Sequence, residues 1–327
     1  MDIENSPFEN RLDISQLNHV AFSIREEIGK VIQGQERALD LLITALFANG
    51  HVLIEGVPGV AKTLIAKLLA RSVNTGYSRI QFTPDLMPSD VLGTYVFNSH
   101  RSDFEFNAGP VFSNLILIDE VNRAPAKTQS ALFEVMEERQ VTVDGVTRKM
   151  DDLFMVMATQ NPVEHEGTYR LPEAQLDRFL FKIKIDYPAL DEETAILENA
   201  VERKSASELE QIAKVVSADK IVELQNMVNY IVVDPQLLRY ITEISAKTRT
   251  SGSLYLGASP RASLSVLRAS RAYAALEGRD FVTPQDVKNV ILPVLVHRVI
   301  LTPEKEMEGV TVESVIKQIV DSVEVPK

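Results

Sequence analysis

The chain has 327 residues, 45% of them hydrophobic and 24% charged, with no cysteine and a formal net charge of −12. The missing cysteines exclude disulfides and thiolate metal sites, and the acidic balance argues against a general nucleic-acid binder. No apolar run approaches the ~18–20 residues of a membrane span, and the acidic start Met1-Asp2-Ile3-Glu4 lacks a signal-peptide pattern, so a cytoplasmic protein is expected.

Residues 1–14 are polar and mixed, and are expected to be poorly ordered. From Ser15 the apolar positions Leu17, Val20, Ile24, Ile28 and Val31 recur at helical spacing. A second helix spans Ala38 to Ala48, stopped by Asn49-Gly50. Between the two helices, Val31 and Ile32 serve either as a wall for adenine or as ordinary core, and spacing alone does not choose. The run His51-Val52-Leu53-Ile54 then enters Gly56-Val57-Pro58-Gly59-Val60-Ala61-Lys62-Thr63, and a helix follows from Leu64.

A buried strand, a glycine-bearing turn and Lys-Thr at a helix start cradle nucleotide phosphates, because backbone N–H groups and the positive helix end face the anion. Gly56, Pro58, Gly59, Val60, Ala61, Lys62, Thr63 and Leu64 are therefore candidate ATP contacts. Lys62 neutralises β/γ charge and Thr63 holds Mg²⁺. The strict motif has glycine where Ala61 stands, and a right-handed helical φ is expected to accommodate the alanine.

A short strand is expected at Arg79–Thr83, then a turn of helix capped by Ser89 and ending at Gly93. Tyr95-Val96-Phe97 and Phe104-Glu105-Phe106 flank a polar tip and read as a hairpin. Leu115-Ile116-Leu117-Ile118 is a buried central strand ending in Asp119-Glu120. In a doubly wound sheet its end opens on the same edge as the phosphate loop, where Asp119 can hold Mg²⁺ and Glu120 can polarise water. A helix over Lys127–Arg139 precedes a hairpin at Gln140–Lys149, whose Asp144-Gly145 supplies a two-residue turn. Leu153–Ala158 is the next buried strand, ending in Thr159-Gln160-Asn161-Pro162. Asn161 either orients water or the γ-phosphate, or simply forms a turn.

Gly167–Pro172 reads as loop, Glu173–Phe179 as a short helix carrying Asp177-Arg178, and Leu180–Ile185 as a strand at a half-covered edge. The best domain boundary follows at Tyr187-Pro188, giving a core over 1–187 and a second unit over 188–327. That unit reads as helices only: Asp191–Lys204, Ala218–Tyr230, Pro235–Thr248, a helix from Ser259-Pro260 to Gly278, and another starting at Thr283-Pro284. Arg261 stands in a helix first turn, against the dipole, which hints at an anionic partner. The five histidines (His19, His51, His100, His165, His297) lack metal-ligand spacing and read as structural or solvated.

These motifs together resemble AAA+ ATPases, and the forms Gly56–Thr63, Leu115–Ala124, Ala158–Pro162, Glu173–Phe179 and Ser259-Pro260-Arg261 are similar to the MoxR family in particular. The resemblance runs from about Val31 to His297, and Ala61 suits the MoxR form of the loop. It implies an α/β fold: an αβα P-loop core with a parallel sheet and two inserted hairpins, followed by an all-helical lid. It also implies that Asn161 is the sensor-1 residue, Arg178 an arginine finger reaching a neighbouring subunit, and Arg261 the sensor-2 arginine closing over the nucleotide from the lid. Such proteins hydrolyse ATP with Mg²⁺, form homo-oligomeric, typically hexameric, rings, and act as chaperone-like remodellers of a client. Their common partner carries a von Willebrand factor A domain, which would be a separate chain here. The alternatives are a nucleic-acid motor and a chelatase-type metal-insertion subunit of the same architecture.

Overall fold

The computed structural model describes residues 12–161, 169, 171–203 and 208–326. Most of the N-terminal segment, Pro162, His165, part of the 167–172 loop and Lys204 therefore lie outside the described residues.

Helices α1 (Ser15–Gly29) and α2 (Glu36–Phe47) precede β1 (His51–Gly56) and α3 (Lys62–Ser72). Next come β2 (Tyr77–Gln81), α4 (Pro88–Leu92) and a hairpin of β3 (Gly93–Asn98) and β4 (Asp103–Ala108). Strand β5 (Leu115–Asp119) leads to α5 (Ala126–Glu138) and a second hairpin, β6 (Gln140–Val143) and β7 (Val146–Lys149). Strand β8 (Met155–Gln160), the single turn α6 (Glu173–Leu176) and β9 (Phe179–Ile185) complete the core.

Five strands form one parallel sheet in the order β2-β5-β8-β1-β9. Alternation along β1 sends Val52 and Ile54 to one face and Leu53 to the other, and each face has its own buried cluster. All five residues of β5 are buried, as a strand covered on both faces requires. Parallel pairing puts the ends of β1 and β5 on one edge and their starts on the opposite one. Strand β9 does lie at an edge, with the alternating burial that its sequence predicted.

Among the described residues the remaining α-helices and strands are α7 (Leu190–Arg203), α8 (Ala218–Val228), α9 (Pro235–Thr250), β10 (Leu254–Leu256), α10 (Pro260–Leu276), α11 (Pro284–Leu295), β11 (Ile300–Leu301), α12 (Pro303–Met307) and α13 (Val312–Asp321). Ser259 caps α10 through the Ala262 N–H, and Thr283 with Asp286 forms a capping box on α11. Asp286 is fully buried and takes a bidentate pair from Arg279 at 2.5 and 2.6 Å. The apolar cluster of α1, α2 and α3 continues without a break into α8–α11 and α13, so the helical part packs directly on the core.

Three local expectations need correction. The helical part is not helix alone, because β10 and β11 pair as a small antiparallel ribbon. Two residues in β11 are too few for any alternation to show in sequence. Met87, not Ser89, is the N-cap of α4, because Pro88 already takes the first helical position and Asp90 accepts the Met87 N–H at 2.9 Å. Ala61 is left-handed, with φ 60°, not right-handed. The chain turns from Gly59 (φ 89°) into α3 through this residue, at the position where the strict motif has glycine, and alanine bears a cost of ~1–2 kcal/mol.

His51 is structural, as expected from its isolation. Its Nδ1 accepts the Val156 N–H at 3.0 Å and its Nε2 lies 3.1 Å from the Met136 carbonyl, tying β1 to β8 and α5. Burial, then the nearby Arg139, lowers its pKa to about 3. An unfolded imidazole takes a proton near 6.5, so this contribution to stability is whole above pH 6.5 and is lost as pH falls toward 3. The loss should reach about 2 kcal/mol at pH 5. Thermal unfolding of His51→Phe should therefore vary less between pH 7 and 5 than that of the parent chain; equal slopes would refute the assignment.

Candidate functional site

The loop after β1 and the tip of β5 meet at the carboxyl edge of the sheet. Thr63 Oγ1 lies 3.5 Å from Asp119 Oδ2, so the first turn of α3 faces the acidic strand end. The Lys62 ammonium donates to the Gly56 carbonyl within the loop. A Cβ on Gly56 would sit 2.6 Å from the Ile185 carbonyl, which explains a glycine there, whereas one on Gly59 would meet nothing within 4 Å. Val60 is buried, and Val31 and Ile32 are buried in the same large apolar cluster, so both are core residues.

Asp119 is buried and ordered by three neighbours. Besides Thr63, Arg79 Nε lies 2.6 Å from its Oδ2, and Thr159 donates to its Oδ1 at 3.1 Å. Thr159 also accepts the Glu120 N–H at 3.0 Å, so one hydroxyl at the end of β8 sets both acids. Glu120 has φ 58°, an uncommon conformation for a non-glycine residue and one that recurs at functional sites. Its Oε2 accepts from Gln81 at 2.8 Å and lies 3.0 Å from Arg123 Nε. Asn161, two residues beyond Thr159, is buried on the same edge.

Gly56–Thr63, Asp119, Glu120 and Asn161 are thus brought together. Sequence reasoning missed Arg79, Gln81, Thr159 and Arg123. Arg79 and Gln81 alternate along one strand and project to one face, a legible signal only once β2 is known to pair with β5, register Gln81 to Asp119.

Arg178 and Arg261 are elsewhere. Arg178 directly precedes β9, whose Phe179 pairs with His51 at the start of β1. The phosphate loop follows the other end of that six-residue strand, about 20 Å away at ~3.3 Å per residue. Arg178 Nε lies 3.4 Å from Glu137 Oε2, and Arg261 donates to the same oxygen. Arg261 Nε is also 3.9 Å from Asp177. The expectation that Arg261 closes over its own chain's nucleotide is therefore corrected: α10 carries it to the amino edge of the sheet, beside the finger candidate.

The buried Arg298 anchors this second cluster. It donates to Asp177 Oδ1 at 2.6 Å and to the carbonyls of Asp177, Phe179 and Leu180 at 3.0, 2.6 and 3.2 Å. Burial pulls its pKa down to about 10; Asp177 opposes the fall, and the nearby Arg261 and Arg268 add to it.

The oxygen donors Thr63 and Asp119 suit a hard divalent cation, and the loop amides and Lys62 suit a polyphosphate. Such a strand–loop–helix, with an acid pair on the same sheet edge at the tip of β5, one strand away across β8, is the arrangement of an AAA-type nucleotide site. Residues 51–181 match the family model described as ATPase family associated with various cellular activities, and residues 246–319 match that of the AAA lid domain. The chain is 44% identical over 310 residues to Chaperone MoxR1 of Mycobacterium tuberculosis, covering 92% of this chain and 81% of that one. It is 31% identical to Protein MoxR of Methylorubrum extorquens, covering 94% and 95% respectively. A solved structure from Cytophaga hutchinsonii, described as a candidate ATPase, superposes with TM-score 0.89 at 41% identity, covering 96% of this chain and 97% of that one. The chain belongs to the MoxR family of AAA+ ATPases.

Proposed function

We propose that the protein hydrolyses ATP to drive chaperone-like remodelling or maturation of a partner protein. The observation that carries the reading is the 3.5 Å approach of Thr63 to Asp119 beside Lys62, which joins both halves of a nucleotide site. In this reading the loop residues 56–64 hold the phosphates, with Val31 and Ile32 beside the base, and Thr63 and Asp119 hold Mg²⁺. MgATP, when bound, supplies the phosphoanhydride bond to be broken. Glu120 takes a proton from the attacking water, Asn161 orients it, and Thr159 keeps the two acids in place.

The position of Arg178 and Arg261, an entire strand length from their own loop, supports their acting on a neighbouring protomer of a ring, taken here as a hexamer. The core is read as residues 1–187 and the lid as 188–327. The two hairpins are joined through Arg148, which donates to Tyr95 at 2.8 Å and lies 3.9 Å from the Phe106 ring centre. We assign that joined pair to contact with the client. Arg148 is thereby engaged within the protein. A von Willebrand factor A protein is the partner class that the family suggests. Among the described residues no helix is long and apolar enough to cross a membrane, in keeping with a cytoplasmic role.

Lys62→Ala should lose ATP affinity by at least tenfold in a titration with a fluorescent analogue; unchanged affinity would contradict the site. For remodelling, immobilised Glu120→Gln protein should retain a protein from cell extract in ATP and release it in ADP. Retention indifferent to nucleotide would count against the reading.

A further inference from the structure

We propose that Glu137 is a positioning residue for ATP hydrolysis: its carboxylate couples the lid arginine Arg261 to the core arginine Arg178, so that both are presented together to the neighbouring protomer. This rests on the reading that these arginines act across the subunit interface.

The geometry behind it is a shared oxygen. Glu137 Oε2 lies 3.4 Å from Arg178 Nε and accepts a hydrogen bond from Arg261. Arg178 comes from the segment before β9, Arg261 from the first turn of α10, and Glu137 from the last turn of α5, so three separate elements converge. Among the described residues Arg178 Nε is buried with no hydrogen-bond partner, and the ion pair with Glu137 is the contact they give it. Two guanidinium groups at one place repel, and Arg298 and Arg268 lie near enough to add to the field. A carboxylate between them is what lets core and lid cations share the position.

The rest of the cluster is fixed. Arg298 is locked to the backbone of 177–180, and α5 is tied to the start of β1 by Arg139, which donates to the Asn49 side chain at 2.7 Å. Arg178 and Arg261 are thus the adjustable members, and Glu137 sets where they point. Its side chain is 35% exposed, so replacement should leave the fold intact.

Mixed rings test the role. A Lys62→Ala protomer has a dead nucleotide site and an intact arginine face; an Arg178→Ala protomer has the reverse. Mixing them should restore turnover. Adding Glu137→Gln to the Lys62→Ala protomer should then lower the restored rate about tenfold, with KM for ATP unchanged. Adding it instead to the Arg178→Ala protomer should leave that rate alone, and Glu137→Asp should recover part of the loss. Equal effects in both arms, or none in either, overturn the role of Glu137 and leave the trans reading standing. No restoration in the original mixture overturns the trans reading and this inference with it.

Discussion

Glu120→Gln should bind ATP with near-parental affinity and hydrolyse it at least a hundredfold more slowly. The residue follows the tip of β5, one past the candidate metal ligand Asp119, with a left-handed backbone conformation. Removing a general base costs about 10²–10⁴ in rate. Affinity should survive because the loop amides, Lys62, Thr63 and Asp119 are untouched. Gln81 donates to Glu120 and Arg123 pairs with it, so both would find an amide oxygen in its place and the local structure should hold. Single-turnover hydrolysis beside equilibrium binding separates the two quantities. Turnover within a few fold of the parent would show that another group activates water.

The second large effect belongs to Arg178→Ala. An arginine supplied across an interface is worth about 10³–10⁵ in rate, and the loss should fall on kcat with ATP affinity little changed. The stability cost should be small, because the side chain makes one long ion pair with Glu137 and its neighbour Arg298 holds the segment independently. A fall in affinity with kcat preserved would instead put Arg178 in its own protomer's site, against the strand length that separates them.

What could be read from the sequence was whatever is contiguous. The phosphate loop, the apolar run into Asp119-Glu120 and the Asp144-Gly145 hairpin each state their geometry within about ten residues. The capped starts at Ser259 and Thr283 are equally local. Pairings between distant strands are not written that way. Arg79 and Gln81 gain meaning from lying beside β5, and Thr159 from the register of β8, which no window around either residue contains. Arg261 shows a further limit. Its placement against a helix dipole suggested an anion, yet which one depended on where α10 packs, and the carboxylate it meets in the chain is Glu137. The left-handed Ala61 follows the same logic: the loop's closure into α3 dictates φ, whatever alanine alone would favour.

The central claim is that each nucleotide is held by one protomer's loop and acid pair and completed by the arginines of the next. The most direct test is a structure of the Glu120→Gln protein with ATP and Mg²⁺. The account predicts Thr63 and Asp119 at the metal, Lys62 at the phosphates, and Arg178 and Arg261 of an adjacent protomer reaching the same γ-phosphate. A triphosphate bound away from Lys62, or one met by no arginine from a second protomer, would contradict it.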